Sequence, residues 1–275
     1  MKGWGLLMGM VALAALSLGG WFLSAQIGRT GVVVTVRDAL SGAPVRDSSL
    51  RFERWAVQGF SAPSVTLIHL LPGWHTLSAV APGYLPASER IAVGLGGVTS
   101  APPLALVGYA IPGLKGFAIA AEREARGILV RLAPVDDSGR FIREFPCLDL
   151  RIVLRVSIQV EGASVATSPT AGSPERGALL FDGVASWRWD SSPGAAYRYR
   201  ALVRSDQLSA LPAPYVVVDA LAVVPDPRRI GARELDRVAD ELQGISDPAA
   251  VAAIERQYEG RVEIYRAVEW NTVNS

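Results

Sequence analysis

Cysteine occurs once in this 275-residue chain, at position 147. A lone thiol excludes any intramolecular disulfide, and among the apolar residues of REFPCLDLRI it is expected to be buried and inert. Histidine occurs twice, at 69 and 75. Neither has Asp, Glu or Cys at metal-ligand spacing, so no metal site is assigned. Two histidines, neither beside a nucleophile in sequence, also argue against a His-dependent hydrolase. Lysine is confined to Lys2 and Lys115, and nearly all other positive charge is arginine. With many Ala, Gly and Pro residues, this bias has the look of a GC-rich bacterial genome. The 27 basic and 26 acidic residues nearly cancel; no basic stripe is present and a nucleic-acid partner is not expected. There is no G-x-S-x-G, no P-loop, no G-x-G-x-x-G after a strand and no H-E-x-x-H. The glycine-rich GLGGVTSAPP follows no helix-forming segment and reads as a turn. No catalytic residue and no cofactor is therefore assigned, although carboxylate pairs brought together from distant loops stay open.

What is abundant is apolar sequence, half of all residues. Between Lys2 and Arg29 no side chain ionises. The run Gly3 to Leu23 is long enough for a spanning helix, which needs about 20 residues, whereas a secretory signal has an apolar core of about 7–15. Trp4 and Trp21 lie near its ends, roughly 25 Å apart along a helix, where interfacial Trp rings prefer to sit. Gly5 and Gly9 form a GxxxG, a spacing used to pack helices in membranes. Residues 1–28 are thus expected to be a membrane anchor. Lys2 stays inside and the bulk of the chain lies outside the cytoplasm, which is a single-pass protein of a bacterial inner membrane. A cleaved signal peptide, with LSA before Gln26 as its site, is the alternative.

From Gly31 short β segments follow at intervals of about ten residues: GVVVTVRD, SLRFERWAV, SVTLIHLLPG, WHTLSAVA and ERIAVGL. That spacing predicts a sandwich rather than a parallel sheet. Alternation puts His75, Leu77, Ala79 and Ala81 on one face of their strand and Trp74, Thr76, Ser78 and Val80 on the other. His75 is accordingly expected to be a hydrogen-bonded residue of the inner face. VVVTVRDALSGAPV with LLPGWHTLSAVAPGYLPASERIAV resembles the carboxypeptidase regulatory-like (transthyretin-like, PEGA-related) β-sandwich family. Ser41, Gly42, Pro44, Leu70, Pro72, Gly73, Leu77, Ala81, Gly83 and Tyr84 carry the likeness over residues 31–107. The resemblance implies a β-sandwich without catalytic residues, acting as an accessory, spacing or adhesive module.

The stretch 116–226 predicts a second β-sandwich-like domain. It contains a hairpin around Asp137-Ser138-Gly139 and a long alternating strand with Leu150, Ile152, Leu154, Val156 and Ile158 on one face. A polar loop (161–177) and strands in ALLFDGVASWRWD, AAYRYRALVRS and PYVVVDALAVV complete it. Residues 195–220 locally resemble the last hairpin of fibronectin type III domains. Trp187, Trp189, Tyr197 and Tyr199 are candidates for a partner or sugar contact, since aromatic faces stack on sugar rings; the competing reading is alternate core and surface cover. Residues 227–275 predict two short helices and a strand. Leu235, Val238, Ala239 and Leu242 form the stripe of the first helix, and Asp247 caps the second with Pro248 in its first turn.

The fold class expected is mainly β: an N-terminal transmembrane helix, two β-sandwich-like domains and a short C-terminal α+β tail packed on the second. The function expected is that of a membrane-anchored, non-catalytic scaffold, spacer or accessory subunit that binds a protein partner in the bacterial envelope. The alternative is a carbohydrate-binding or carbohydrate-active hydrolytic protein with a site between the two outer domains.

Overall fold

β-branched residues dominate the segment after Thr30, and it forms the first strand of a mainly β structure. This computed structural model describes residues 17, 20, 26, 28–53, 55–60, 64–159, 176–209 and 215–272. The chain divides into two compact units, Met1–Val107 and Gly108–Ser275. The anchor candidates Trp4, Gly5, Gly9 and Trp21 lie outside the described residues. Among the described residues no helix is long and apolar enough to cross a membrane.

The first unit contains β1 (Gly31–Asp38), β2 (Ser48–Phe52), β3 (Trp55–Phe60), β4 (Ser64–Ile68), β5 (Gly73–Val80), β6 (Ala87–Val93), β7 (Val98–Ser100) and β8 (Leu104–Leu106). β1 pairs antiparallel with β4. Its other edge is shared by two short parallel strands, β7 beside its first half and β8 beside its second. The second sheet runs β3-β2-β5-β6, antiparallel throughout. Alternation in β1 buries Val32, Val34 and Val36 in one core with Leu50, Leu77 and Ile91 from the facing sheet. This is the sandwich arrangement, in which the inner faces of two sheets interdigitate. At the turn after β1 the Asp38 carboxylate accepts from the N–H groups of Leu40 (3.1 Å) and Ser41 (2.7 Å). The side chain thereby does the work of a backbone turn.

Two sequence assignments change. SLRFERWAV is not one strand: β2 ends at Phe52 and Glu53 turns the chain at φ 50° into β3. GLGGVTSAPP is not wholly a turn, because Val98–Ser100 finds the edge of β1 and becomes β7.

The second unit contains β9 (Gly116–Glu124), β10 (Gly127–Val135), β11 (Arg151–Gln159), β12 (Arg176–Ala185), β13 (Trp187–Trp189), β14 (Tyr199–Arg204), β15 (Tyr215–Pro225), α1 (Ala232–Leu242), α2 (Pro248–Gln257) and β16 (Val262–Thr272). Its sheets are β13-β14-β10-β9 and β12-β11-β15-β16. Ile128, Val130 and Leu132 of the first pack with Ile152, Leu154, Val156, Val218 and Ala220 of the second.

The opposite face of the second sheet is apolar at Val153, Leu221 and Val223, and there Leu235, Val238, Ala239 and Leu242 of α1 complete a separate core. The helices thus cover a face of the sheet. Asp247 caps α2 by accepting from the Ala249 N–H at 3.1 Å, with Pro248 beginning the helix. β16 is no appendage, since it pairs with β15 from Tyr215↔Thr272 to Pro225↔Val262 and sends Ala267 into the main core.

Candidate functional site

Three places in the two units gather polar or aromatic chemistry. The first lies at the end of the first sandwich where the chain enters β1. Thr30, fully buried, ties this end together. Its hydroxyl donates to the Gln26 carbonyl (2.8 Å) and accepts from the Gly96 N–H (3.0 Å), while its carbonyl accepts from Leu70 N–H (3.2 Å). The Gly31 N–H donates to the Gly97 carbonyl at 3.0 Å. Gly96 has φ +80°, and a Cβ there would strike the Gln26 side chain. The left-handed backbone is what favours glycine here, since the Gln26 side chain could swing aside.

His75 belongs to the same end. Its side chain is 11% exposed, with Nδ1 2.7 Å from the Glu53 carboxylate. Nε2 donates to the Leu71 carbonyl at 2.8 Å. The ring lies 4.8 Å from that of Phe52. Both nitrogens are therefore engaged, one fixing the positive-φ turn at Glu53 and the other the loop 69–72. His69 is in that loop, at φ 60° and exposed. No group of three or more His, Cys, Asp or Glu able to hold a metal occurs among the described residues.

The second place is the aromatic cluster of the second unit, where the four candidate contact residues part company. Tyr199 is completely buried at the centre of the main core. Its hydroxyl accepts from the Leu148 N–H at 3.3 Å. A ring with no exposed face cannot stack on a sugar, so Tyr199 is a core residue. Trp187 and Trp189 are half-buried and stand edge-on to Tyr199, at 78° and 84° with centroids 4.9 and 5.3 Å away. The Trp187 indole N–H donates to the Leu150 carbonyl at 2.6 Å. Arg198 lies over Trp189, 5.5 Å from its centroid. Tyr197 precedes β14 and packs on Phe141 at 5.5 Å. The four rings do not form one flat platform; edge-to-face packing has brought three of them around a single centre.

Asp190 ends this strand pair. The Ser192 hydroxyl and N–H hold its carboxyl below the usual carboxylate range, aided by the charges of Arg200 and Arg198 and opposed by burial. Across the sandwich, burial followed by a hydrogen bond to Glu263 pushes the Tyr265 phenol up.

The third place is a ladder of charges on the helix-covered sheet face. Arg155 pairs with Asp182 at 2.7 Å and Arg266 with Asp219 at 2.6 Å. Between this ladder and the end of α1 a cleft is lined by Val153, Arg155, Asp182, Asp219, Leu221, Leu242 and Ile245. Its interior is about 10 Å³, roughly the space of a single water. Flanking pairs hold the helices down: Arg151 to Asp236, Arg261 to Glu234, and Tyr258 donating to Glu241 at 3.0 Å. These are structural ties. Cys147 is buried, as its apolar neighbours suggest.

No family model matches the chain, and none of the curated proteins matches it. Among solved structures, a DUF3823 family protein from Bacteroides ovatus aligns at 10% identity over 70% of this chain and 90% of its own, with a TM-score of 0.24. A "putative carbohydrate binding protein" from Bacteroides uniformis aligns at 10% identity over 88% and 98%, with a TM-score of 0.25. A "putative membrane-associated protein of unknown function" from Bacteroides fragilis aligns at 11% over 72% and 90%, with a TM-score of 0.23. These TM-scores are too small for any of the three likenesses to assign a family or a ligand to this chain.

Proposed function

We propose that the protein is a membrane-anchored, non-catalytic scaffold or accessory subunit of a bacterial envelope. Its single N-terminal span lies in the inner membrane and its two sandwiches lie outside the cytoplasm. The observation that carries this reading is the run Gly3 to Leu23, which is of spanning length and has no ionisable side chain. Chain emerging from a stretch without ionisable side chains is bonded at once to the first sandwich through Gln26, Thr30 and Gly96. The remaining chemistry supports it as well. His75 is engaged on both nitrogens, and the charges beside α1 are paired with one another. The first unit's likeness to carboxypeptidase regulatory-like modules fits a spacing or binding role.

Extraction of native membranes in mild detergents, followed by native electrophoresis and intact-mass measurement, tests the reading. The expected outcome is a chain that retains residues 1–25 and migrates with a specific protein partner. The fragment beginning at Gly31 should bind that partner more weakly, because losing membrane confinement lowers the effective concentration of the second contact. A mature chain starting at Gln26, or an isolated monomer whose soluble fragment hydrolyses a glycoside or peptide, overturns it.

A further inference from the structure

Apart from its polar ties, the chain-entry end of the first sandwich has a surface that neither its fold nor the scaffold reading uses. Ile68, Leu71, Trp74, Leu95 and Val98 are each more than half exposed, Leu71 and Trp74 at 63%. They come from separate stretches of sequence, yet the strand registers bring them to one end. Ile68 is one terminus of the β4 pairing, opposite Gly31, and Val98 is opposite Gly31 on the other side. Leu71 sits in the loop from β4 to β5, and Trp74 follows the first residue of β5. Leu95 sits in the loop from β6 to β7. Both loops are bonded to the chain entry, through Leu70 N–H to Thr30 and Gly97 carbonyl to Gly31. Arg90 lies over the Trp74 ring, 5.3 Å from its centroid, and Arg29 is exposed beside the entry.

We propose that this end of the first sandwich is a membrane-contact surface, its apolar ring seated among the headgroups of the bilayer from which the chain emerges. The proposal rests on the anchored reading above, and the argument for a lipid occupant is one of reach. The apolar run ends at Leu23, and Gln26, three residues on, is already bonded to this end of the sandwich. Three residues span about 10 Å even when fully extended. The headgroup layer is itself roughly 5–8 Å thick on each side. The ring is therefore held within about 10 Å of the hydrocarbon boundary, a distance comparable to the headgroup layer. At that depth Trp is a preferred residue, apolar side chains gain by partial burial, and arginines face anionic lipid. His75 acquires a purpose here: by donating to the Leu71 carbonyl it fixes the loop that carries the most exposed leucine of the ring.

The test uses the full chain with Cys147→Ser, so that one introduced cysteine takes an environment-sensitive fluorophore. Leu71→Cys and Trp74→Cys place it on the ring. Leu40→Cys places it at the opposite end of β1, on a turn where the side chain is also more than half exposed. The proteins are reconstituted into vesicles of phosphatidylethanolamine and phosphatidylglycerol carrying a nitroxide near the headgroup. Expected are blue-shifted emission and several-fold stronger quenching at positions 71 and 74 than at 40. If the protein stays on vesicles through an alkaline wash but all three positions quench alike, the contact surface is overturned and the anchor stands. If the protein washes off, the anchor falls and the contact surface falls with it.

Discussion

Among its described residues from Gly31 to Val107 the first sandwich consists of strands and turns, whereas the second lays two helices across the outer face of one sheet. Their centres differ as well. The first is mostly aliphatic, Val32, Val34 and Val36 against Leu50, Leu77 and Ile91, with Phe52 as its one buried aromatic core member among the described residues. The second is organised around one aromatic ring, Tyr199, with Phe117, Trp187 and Trp189 arranged edge-on about it. An aliphatic layer distributes its stabilisation over many small contacts. A central ring concentrates it, and adds a hydroxyl that must find a partner. The units also place their exposed apolar surface differently. The second buries Val153, Leu221 and Val223 beneath α1 and exposes Phe141, Leu179, Val268 and Trp270, each at 50% or less, while the first leaves five large apolar side chains more than half exposed at one end.

The comparison breaks most sharply at its aromatic centre. Tyr199→Ala should destabilise the second unit by about 3–5 kcal/mol, the usual range for deleting a buried aromatic ring. In calorimetry of the full chain this lowers the transition that carries the Trp187 and Trp189 fluorescence change by on the order of 10 °C. The transition of the first unit should stay in place. Equal shifts in both would show that the units do not unfold separately.

Acid sharpens the contrast next. The folded-state pKa of Asp190 lies below its unfolded value of about 4. Its contribution is therefore full above that unfolded value and is lost as pH falls through the lower, folded one. Asp190→Asn should lower the stability of the second unit at neutral pH and flatten its decline below about pH 4. A melting series against pH for both proteins checks this; parallel curves would remove Asp190 from the account.

The smallest effect is expected in the first unit. His75→Phe retains a ring beside Phe52 but leaves the Leu71 carbonyl without its donor, a loss of about 1 kcal/mol. Amide exchange should rise in the loop 69–72 while β1 stays protected. Faster exchange throughout β1 would mean that His75 supports the whole core rather than the loop.

Periodic segments were the legible part of this chain. β1, β5 and α1 show their faces in the sequence because the partner surface is continuous and apolar, so alternation or a helical stripe records it. Asp247 with Pro248 was equally legible, since a cap is a local device. β9 was not: GFAIAAERE, to which no element was assigned, is rich in Ala and Glu and poor in strand formers, and pairing with β10 over nine positions makes it a strand. The break between β2 and β3 was hidden because its positive-φ turn is made by Glu53 rather than glycine. At the aromatic cluster, alternation offered two readings of Tyr199, and only the position of the facing sheet decides between them. The exposed ring at the chain-entry end could not be read at all, because strand register alone assembles it from distant stretches.

The pairing of β15 with β16 also has a bearing on how the protein is made. β16 is the latest element in the chain, yet it supplies a sheet partner along all of β15 and seals both cores of the second unit through Ala267 and Val262. During synthesis, at about 5–20 residues per second, the first sandwich has everything it needs once Leu106 has emerged. The second must wait for about 2–9 seconds with β15 unpaired on one side, a ready template for a wrong strand. In the proposed envelope location, vectorial export would thus deliver a finished first sandwich and an unfinished second one. The interval before β16 arrives is when a chaperone outside the cytoplasm would find its target.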